Sequence, residues 1–154
     1  MLFMIEYQMI NFKGNPVYIK SEKSFSYQPW NNCNYSLMIG SGYNSLDVNL
    51  DKMKVVHLSG LNPMETWQKG KVSVPTSKSG ILMLKKESEF LPGTGMTYAE
   101  GWTTTFDKVT GWIHIGKTLS ISQCNCVEFA ANTIAAVHRG NLVAILIKPV
   151  FKTM

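Results

Sequence analysis

The sequence lacks both the cysteines of a disulfide framework and the apolar run of a membrane helix. Three cysteines in 154 residues, Cys33, Cys124 and Cys126, are an odd number that favours a reducing compartment. The longest apolar stretch, residues 142–147, is far shorter than the roughly 20 residues of a membrane helix. The N-terminus has no basic region, and Glu6 interrupts its apolar residues, which argues against a signal peptide. We therefore expect a soluble, cytoplasmic protein without membrane contact.

Arginine is almost absent, and carboxylates are few. The net charge is +5, but Arg139 is the single arginine, and the lysines are scattered along the chain. Nucleic-acid-binding faces use arginine and concentrate their charge, so direct nucleic-acid binding is not predicted, whereas an acidic protein partner fits this charge equally well. The acids are dispersed, and only Asp47 and Asp51 lie close in one strand pattern, where they are expected to face water. The sequence therefore predicts no carboxylate catalysis, metal or cofactor.

Apolar residues recur with a period of two, which is typical of half-buried strands. The alternation covers residues 3–9, Leu46 to Leu50, and Val72 with Val74. Hydrophobic residues make up 45% of the chain, enough for a buried core. These patterns predict a mainly β fold of antiparallel sheets with few short helices, in one domain over residues 1–154. Further short β-prone runs are Val17 to Ile19, Tyr35 to Ile39, Lys54 to Leu58 and Ile81 to Leu84.

Two hairpins are predicted. Residues 102–106 and 112–116 flank a five-residue connection that ends in Gly111, and residues 131–137 and 142–148 flank a turn that contains Arg139 and Gly140. The segment 126–137 is rich in alanine, which favours a helix, but its β-branched residues favour a strand, which we expect. Residues 63–69 are a helix candidate, with Asn62 as N-cap and Pro63 at the first helical position.

Two short motifs are interpreted as chance matches. Residues 111–118 fit the phosphate-loop pattern G-x-x-x-x-G-K-T, but their four intervening residues are bulky and β-prone, whereas that loop joins a strand to a helix. Residues 91–95 read Leu-Pro-Gly-Thr-Gly, as in a cell-wall sorting signal. They lie in mid-chain without a following apolar tail, so we expect a structured turn.

One cysteine raises an enzymatic alternative. Residues 125–130, Asn-Cys-Val-Glu-Phe-Ala, are similar to the nucleophile segment of permuted papain-like cysteine hydrolases and acyltransferases. That resemblance implies that Cys126 lies at a helix N-terminus, which lowers a thiol pKa, with a histidine on a neighbouring strand as the base. His57 is the candidate base, and His114 is a second one. The pair Cys124 and Cys126 is spaced too closely for a typical zinc site.

Four longer phrases carry a different resemblance. They are residues 15–20, 25–33, 91–102 and 126–151, and they resemble immunity proteins of bacterial contact-dependent growth inhibition systems, specifically the type that neutralises a nuclease toxin. This resemblance implies a cytoplasmic, non-catalytic protein that binds the toxin's C-terminal domain. It also implies β-augmentation, in which a toxin β-hairpin adds to the sheet of the immunity protein.

The resemblance names no site residue, so the interface prediction rests on composition alone. Protein interfaces favour tryptophan, tyrosine and arginine anchors. The predicted partner-binding residues are Trp67, Tyr98, Trp102, Trp112 and Arg139. Each could instead fill the core, above all Trp102 and Trp112, which the predicted hairpin would bring together.

Overall fold

A computed structural model describes residues 1–40, 43–117 and 121–153. The described chain is mainly β, as predicted, and its only helices are two single 3₁₀ turns, Met64–Thr66 and Ile121–Gln123. The strands are β1 (Phe3–Tyr7), β2 (Asn15–Ile19), β3 (Ser24–Gln28), β4 (Tyr35–Ile39), β5 (Tyr43–Asn49), β6 (Lys54–Leu61), β7 (Gln68–Lys69), β8 (Lys78–Leu84), β9 (Thr94–Thr97), β10 (Thr103–Phe106), β11 (Ile113–Gly116), β12 (Asn125–Ala130), β13 (Thr133–His138), β14 (Asn141–Ile147) and β15 (Val150–Lys152).

The strands form one curled sheet with two arms that meet at β8. The first arm runs from β8 through β6, β3 and β2 to β15, with a branch from β6 through β5 and β4 to β9. The second runs through β12, β13, β14, β11 and β10 to β7, and β1 also pairs with β8. Most pairs are antiparallel, as predicted, but β2–β15, β4–β9, β8–β12 and β7–β10 are parallel. Each parallel pair joins segments distant in sequence, which no hairpin pattern can reveal.

The second arm is apolar on both faces. Its inner face includes Val127, Ala135 and Ile145, which join the main core, where aromatic residues from both arms pack. Its outer face belongs to a second cluster, whose buried members are Val72, Cys126, Ile134, Ala136, Val143, Ala144 and Leu146. Because both faces are apolar, other parts of the chain must shield each face from water.

Residues 70–77, which we call the strap, contribute to the cover of the outer face. The prediction of a strand at Val72 and Val74 is wrong, because the strap belongs to no strand. Val72 is buried in the outer cluster, whereas Val74 is 39% exposed. The alternation therefore reflects a segment that packs Val72 on the sheet and exposes Val74 without pairing as a strand. Gly70 N–H donates to the Phe106 carbonyl, and Val72 N–H donates to the Asp107 carboxylate at 3.1 Å, which ties the strap to the β10–β11 hairpin.

The predicted helix at 63–69 is also wrong, because only the 3₁₀ turn Met64–Thr66 forms and β7 follows. Asn62 does not cap it. Its buried side-chain amide donates to Asn44 Oδ1 at 2.7 Å and to Thr104 Oγ1 at 3.0 Å, and it accepts the Trp67 indole N–H at 2.8 Å. One amide therefore joins β5 of the first arm to β10 of the second. This role in the core outweighs the capping preference of Asn.

Both predicted hairpins are confirmed, as β10–β11 and β13–β14, and the segment 126–137 forms strands. The β13–β14 turn has Arg139 and Gly140 at φ 51° and 80°, the positive values of a tight two-residue hairpin turn. In the other hairpin Thr103 faces Gly116, and Phe106 faces Ile113. Trp102 and Trp112 therefore flank opposite ends of it, contrary to the prediction that it brings them together.

No helix in the described part of the chain is long and apolar enough to cross a membrane.

We expect Asn62→Ala to lower the free energy of unfolding by roughly 2–4 kcal/mol, because it leaves buried polar groups of Asn44, Thr104 and Trp67 without their partner. Urea denaturation measures this change. The control is Asn125→Ala at an exposed position, which should change stability by less than about 0.5 kcal/mol. Equal effects of the two substitutions would contradict the role of Asn62.

Asp107 should make stability sensitive to acid. Hydrogen bonds from the backbone N–H groups of Val72, first, and of Val109 and Thr110 hold the pKa of this carboxyl below its usual value. A lowered folded-state pKa gives stability that is present above the unfolded pKa, about 4, and is lost as pH falls through the folded pKa. Denaturation between pH 7 and pH 2 should therefore show a smaller acid-dependent loss in Asp107→Asn than in the parent. Identical pH profiles would contradict this assignment.

Candidate functional site

Strand β9 is an exposed edge of the sheet. Among the described residues it pairs only with β4, in parallel, and Thr94, Gly95 and Thr97 are exposed. Tyr98 N–H donates to the Met38 carbonyl at 2.8 Å. Parallel strands bond to one neighbour through alternate residues, so the backbone groups of Gly95 and Thr97 point away from β4. Such a row of free N–H and C=O groups is a template for another strand.

Two hollows border β9, and Thr97 lines both. The first, of about 590 Å³, is the Trp102 hollow, with Met1, Met96, Thr97, Tyr98, Ala99, Glu100, Trp102, Lys117, His138, Asn141, Leu142 and Val143 in its wall. The second, of about 370 Å³, is the Tyr43 hollow, lined by Met38, Gly40, Tyr43, Thr97, Ala99, Glu100 and Gly101. Side chains of an added strand point alternately to the two faces of the sheet, so hollows beside an edge can receive them.

The wall of the Trp102 hollow is tied to β14 and contains a buried donor without a described acceptor. Leu142 N–H donates to the Tyr98 hydroxyl at 2.9 Å, which fastens the chain after β9 to the start of β14. Trp102 is 2% exposed and packs edge-on against Tyr98, with ring centroids 6.2 Å apart. Its indole N–H is buried and has no acceptor in the described part of the chain. Buried donors are normally bonded, so this unpartnered N–H is an exception within the described core.

The structure brings together three of the five predicted partner-binding residues. Tyr98 and Trp102 line the Trp102 hollow, and exposed Arg139 lies in the turn between two other lining residues, His138 and Asn141. The other two residues lie elsewhere. Trp67 is 9% exposed within the aromatic core formed with Tyr18, Phe25, Phe106 and Phe151, and half-buried Trp112 packs on the outer cluster. Trp67 therefore has no surface to offer a partner.

Composition missed two exposed aromatic residues. Tyr43, 69% exposed, lines the Tyr43 hollow, and Trp30, 53% exposed, rests on His57 with ring centroids 4.3 Å apart. Tyr43 lies in a glycine-containing stretch that gives no strand pattern, and Trp30 lies in a loop. Trp30 follows Pro29 and lies outside every alternating run of the sequence. This position could have predicted that the tryptophan is exposed.

The geometry at Cys126 and His57 differs from the arrangement that the hydrolase alternative implies. His114, the second candidate base, lines one cleft together with Cys126. Cys126 lies within strand β12 and not at a helix N-terminus, and burial, first, together with the nearby Cys124, raises the pKa of its thiol to about 11. His57 has both ring nitrogens in use. Nδ1 donates to the Asp47 carboxylate at 2.9 Å, and Nε2 accepts the Asn31 N–H at 3.3 Å. A thiol with a high pKa and an imidazole without a free nitrogen do not form an activated pair.

The expectation that Asp47 faces water is wrong. It is 4% exposed, pairs with fully buried His57 and also accepts a hydrogen bond from Ser45. Asp51, by contrast, is exposed.

The segment with the phosphate-loop pattern contains β11, which lies between β10 and β14 with antiparallel pairing on both sides. Its last residue, Thr118, lies outside the described residues. No group of three or more His, Cys, Asp or Glu side chains in residues 1–40, 43–117 and 121–153 is arranged to hold a metal ion.

Comparison of the sequence with protein-family models and with curated proteins finds no match.

Proposed function

We propose that this chain is a cytoplasmic immunity protein that binds and neutralises a nuclease toxin domain of a contact-dependent growth inhibition system. The observation that carries the proposal is the exposed edge of β9 with two hollows beside it. A β-hairpin of the toxin adds to this edge, its backbone supplies affinity, and its side chains enter the two hollows. The resemblance of residues 91–102 to immunity proteins falls on this region and supports the same assignment.

Charge supports a contact made mainly through backbone groups. Lys117, His138 and Glu100 are the basic and acidic side chains in the walls of the two hollows. Such a mixed lining does not resemble the acidic surface of an inhibitor that mimics nucleic acid. The toxin therefore docks here through a face other than its phosphate-binding groove, or through an acidic face. Its specificity comes from the shapes of the hollows.

Thr97→Pro should abolish binding and leave the fold intact. Proline removes the N–H that points away from β4, and it is tolerated on an edge strand where that N–H is unpaired. The matched control is Thr97→Val, which keeps the backbone donor and should bind as the parent does. The first measurement is the survival of cells that co-express each variant with the toxin domain encoded beside this chain. The second is the Kd of each variant for that toxin domain, which should be nanomolar or tighter for the parent.

Protection by Thr97→Pro at the parental level, in soluble folded form, would contradict strand addition at β9. Death of cells that express the soluble parent would contradict the immunity function itself. Protection of cells by an amount of this chain far below the amount of toxin would also contradict it, because an immunity protein acts in stoichiometric amounts.

Cys126→Ser should retain full protection, because Cys126 lies on the outer face of β12 and does not line either hollow. The substitution places a hydroxyl in an apolar cluster, so stability should fall by about 1 kcal/mol. Survival of co-expressing cells and thermal denaturation measure the two effects. Loss of protection with the fold intact, or thiol-dependent ester hydrolysis by the parent, would favour the hydrolase alternative.

A further inference from the structure

A cleft of about 750 Å³ lies between the strap and the outer face of the second arm. Its apolar lining comes from the strap and from the segment that enters β12, and it includes Val72, Val74, Pro75, Ile121, Cys124 and Cys126. Its polar lining is Lys71, Ser73, Thr76, Thr105, His114, Lys117 and Ser122. This volume is in the usual range for small-molecule sites, about 300–1,000 Å³, and the mixture of apolar walls and few polar groups is also typical of them.

The charge of the cleft has one sign. Lys71 and Lys117 are its two cationic side chains, and no carboxylate occurs among the described lining residues. Burial lowers the pKa of His114, so its imidazole is neutral at pH 7 and the positive charge comes from the lysines. An anion in the cleft is therefore attracted by both lysines, whereas a cation meets two like charges. The Asp107 carboxylate, which accepts the Val72 N–H of the strap, lies outside the lining and opposes part of this attraction.

The strap is held in place by contacts outside the cleft. Asp107 holds Val72, and Gly70 N–H bonds to the Phe106 carbonyl, whereas the following β8 pairs with β12. Both ends of the strap are thus anchored to the second arm. A cleft with anchored walls is largely formed before a ligand arrives, which reduces the entropy cost of binding.

We propose that this cleft binds a small amphipathic anion, a carboxylate carried on an apolar chain, with the carboxylate beside Lys71 and Lys117 and the chain against the apolar walls. The site is separate from the β9 edge and does not depend on the immunity function. Of the residues used here, Lys117 alone also lines the Trp102 hollow. The remaining lining residues can therefore be tested without altering the proposed toxin site.

The test titrates octanoate into the folded chain and follows backbone amide shifts by NMR, with calorimetry for the Kd. Octanoate should shift the amides of residues 71–76 and 121–126 and bind with a Kd of about 1 mM or tighter. Octylamine, with the same chain and opposite charge, should not bind, and octanol should bind more weakly than octanoate. Absence of shifts around the cleft, or equal affinity for octanol and octanoate, would overturn the proposal.

Two pairs of variants localise the site. Thr105→Phe extends a lining side chain of β10 into the cleft and should remove octanoate binding, whereas Thr103→Phe, two residues away on the same strand and outside the lining, should not. Lys71→Gln should weaken binding about three- to fivefold, and Lys69→Gln, with the same change in net charge but outside the lining, should leave it unchanged. Equal effects within either pair would place the ligand elsewhere and overturn the proposal.

Thr97→Pro should keep octanoate affinity, so failure of one proposal is distinguishable from failure of the other.

Discussion

Burial of both faces of the second arm is the constraint on which the rest of the fold depends. Apart from Glu128, the polar side chains of strands β12, β13 and β14 lie at the strand ends, because alternate residues in between serve the main core and the outer cluster. The curl of the sheet covers the inner face, and the strap contributes to covering the outer one. The Asp107 carboxylate is therefore structurally important although it lies at a hairpin end, since it fixes the strap through Val72. The cleft lies along this cover, which leaves part of its apolar wall accessible.

Buried polar side chains hold the curled sheet together. Asn62 joins β5 to β10, and the His57–Asp47 pair joins β6 to β5 while His57 also receives the Asn31 N–H from a loop. Each of these groups would be costly to bury alone, and each has specific partners at hydrogen-bonding distance. Apolar packing would tolerate several ways to curl such a sheet. Directional bonds, within the first arm and through Asn62 between the arms, select one of them, and this selection determines where β9 and its hollows lie.

The strand content could be predicted from the sequence, because a period of two directly reports an extended chain on an apolar surface. The same signal misled at Val72 and Val74, where the chain packs on the sheet but does not pair as a strand. Strand β9 was not predicted. Its four residues, Thr-Gly-Met-Thr, show no alternation of apolar and polar side chains, and its parallel partner β4 lies far away in sequence. Tyr98 and Trp102 were found through composition, whereas the burial of Trp67 depends on the Asn62 amide, a tertiary contact that local pattern does not encode.

The placement of charge separates the two proposed sites physically. The hollows beside β9 carry a mixed lining, so strand addition there gains its free energy from backbone hydrogen bonds and side-chain packing, and added salt should weaken the complex only moderately. The cleft has two lysines and no described carboxylate, so its preference for an anion is electrostatic and falls as salt screens the lysines. The net charge of +5 is therefore not concentrated on a single binding surface. In the two proposals, the local excess of positive charge at the cleft attracts the anion, whereas strand addition at the β9 edge depends on backbone geometry.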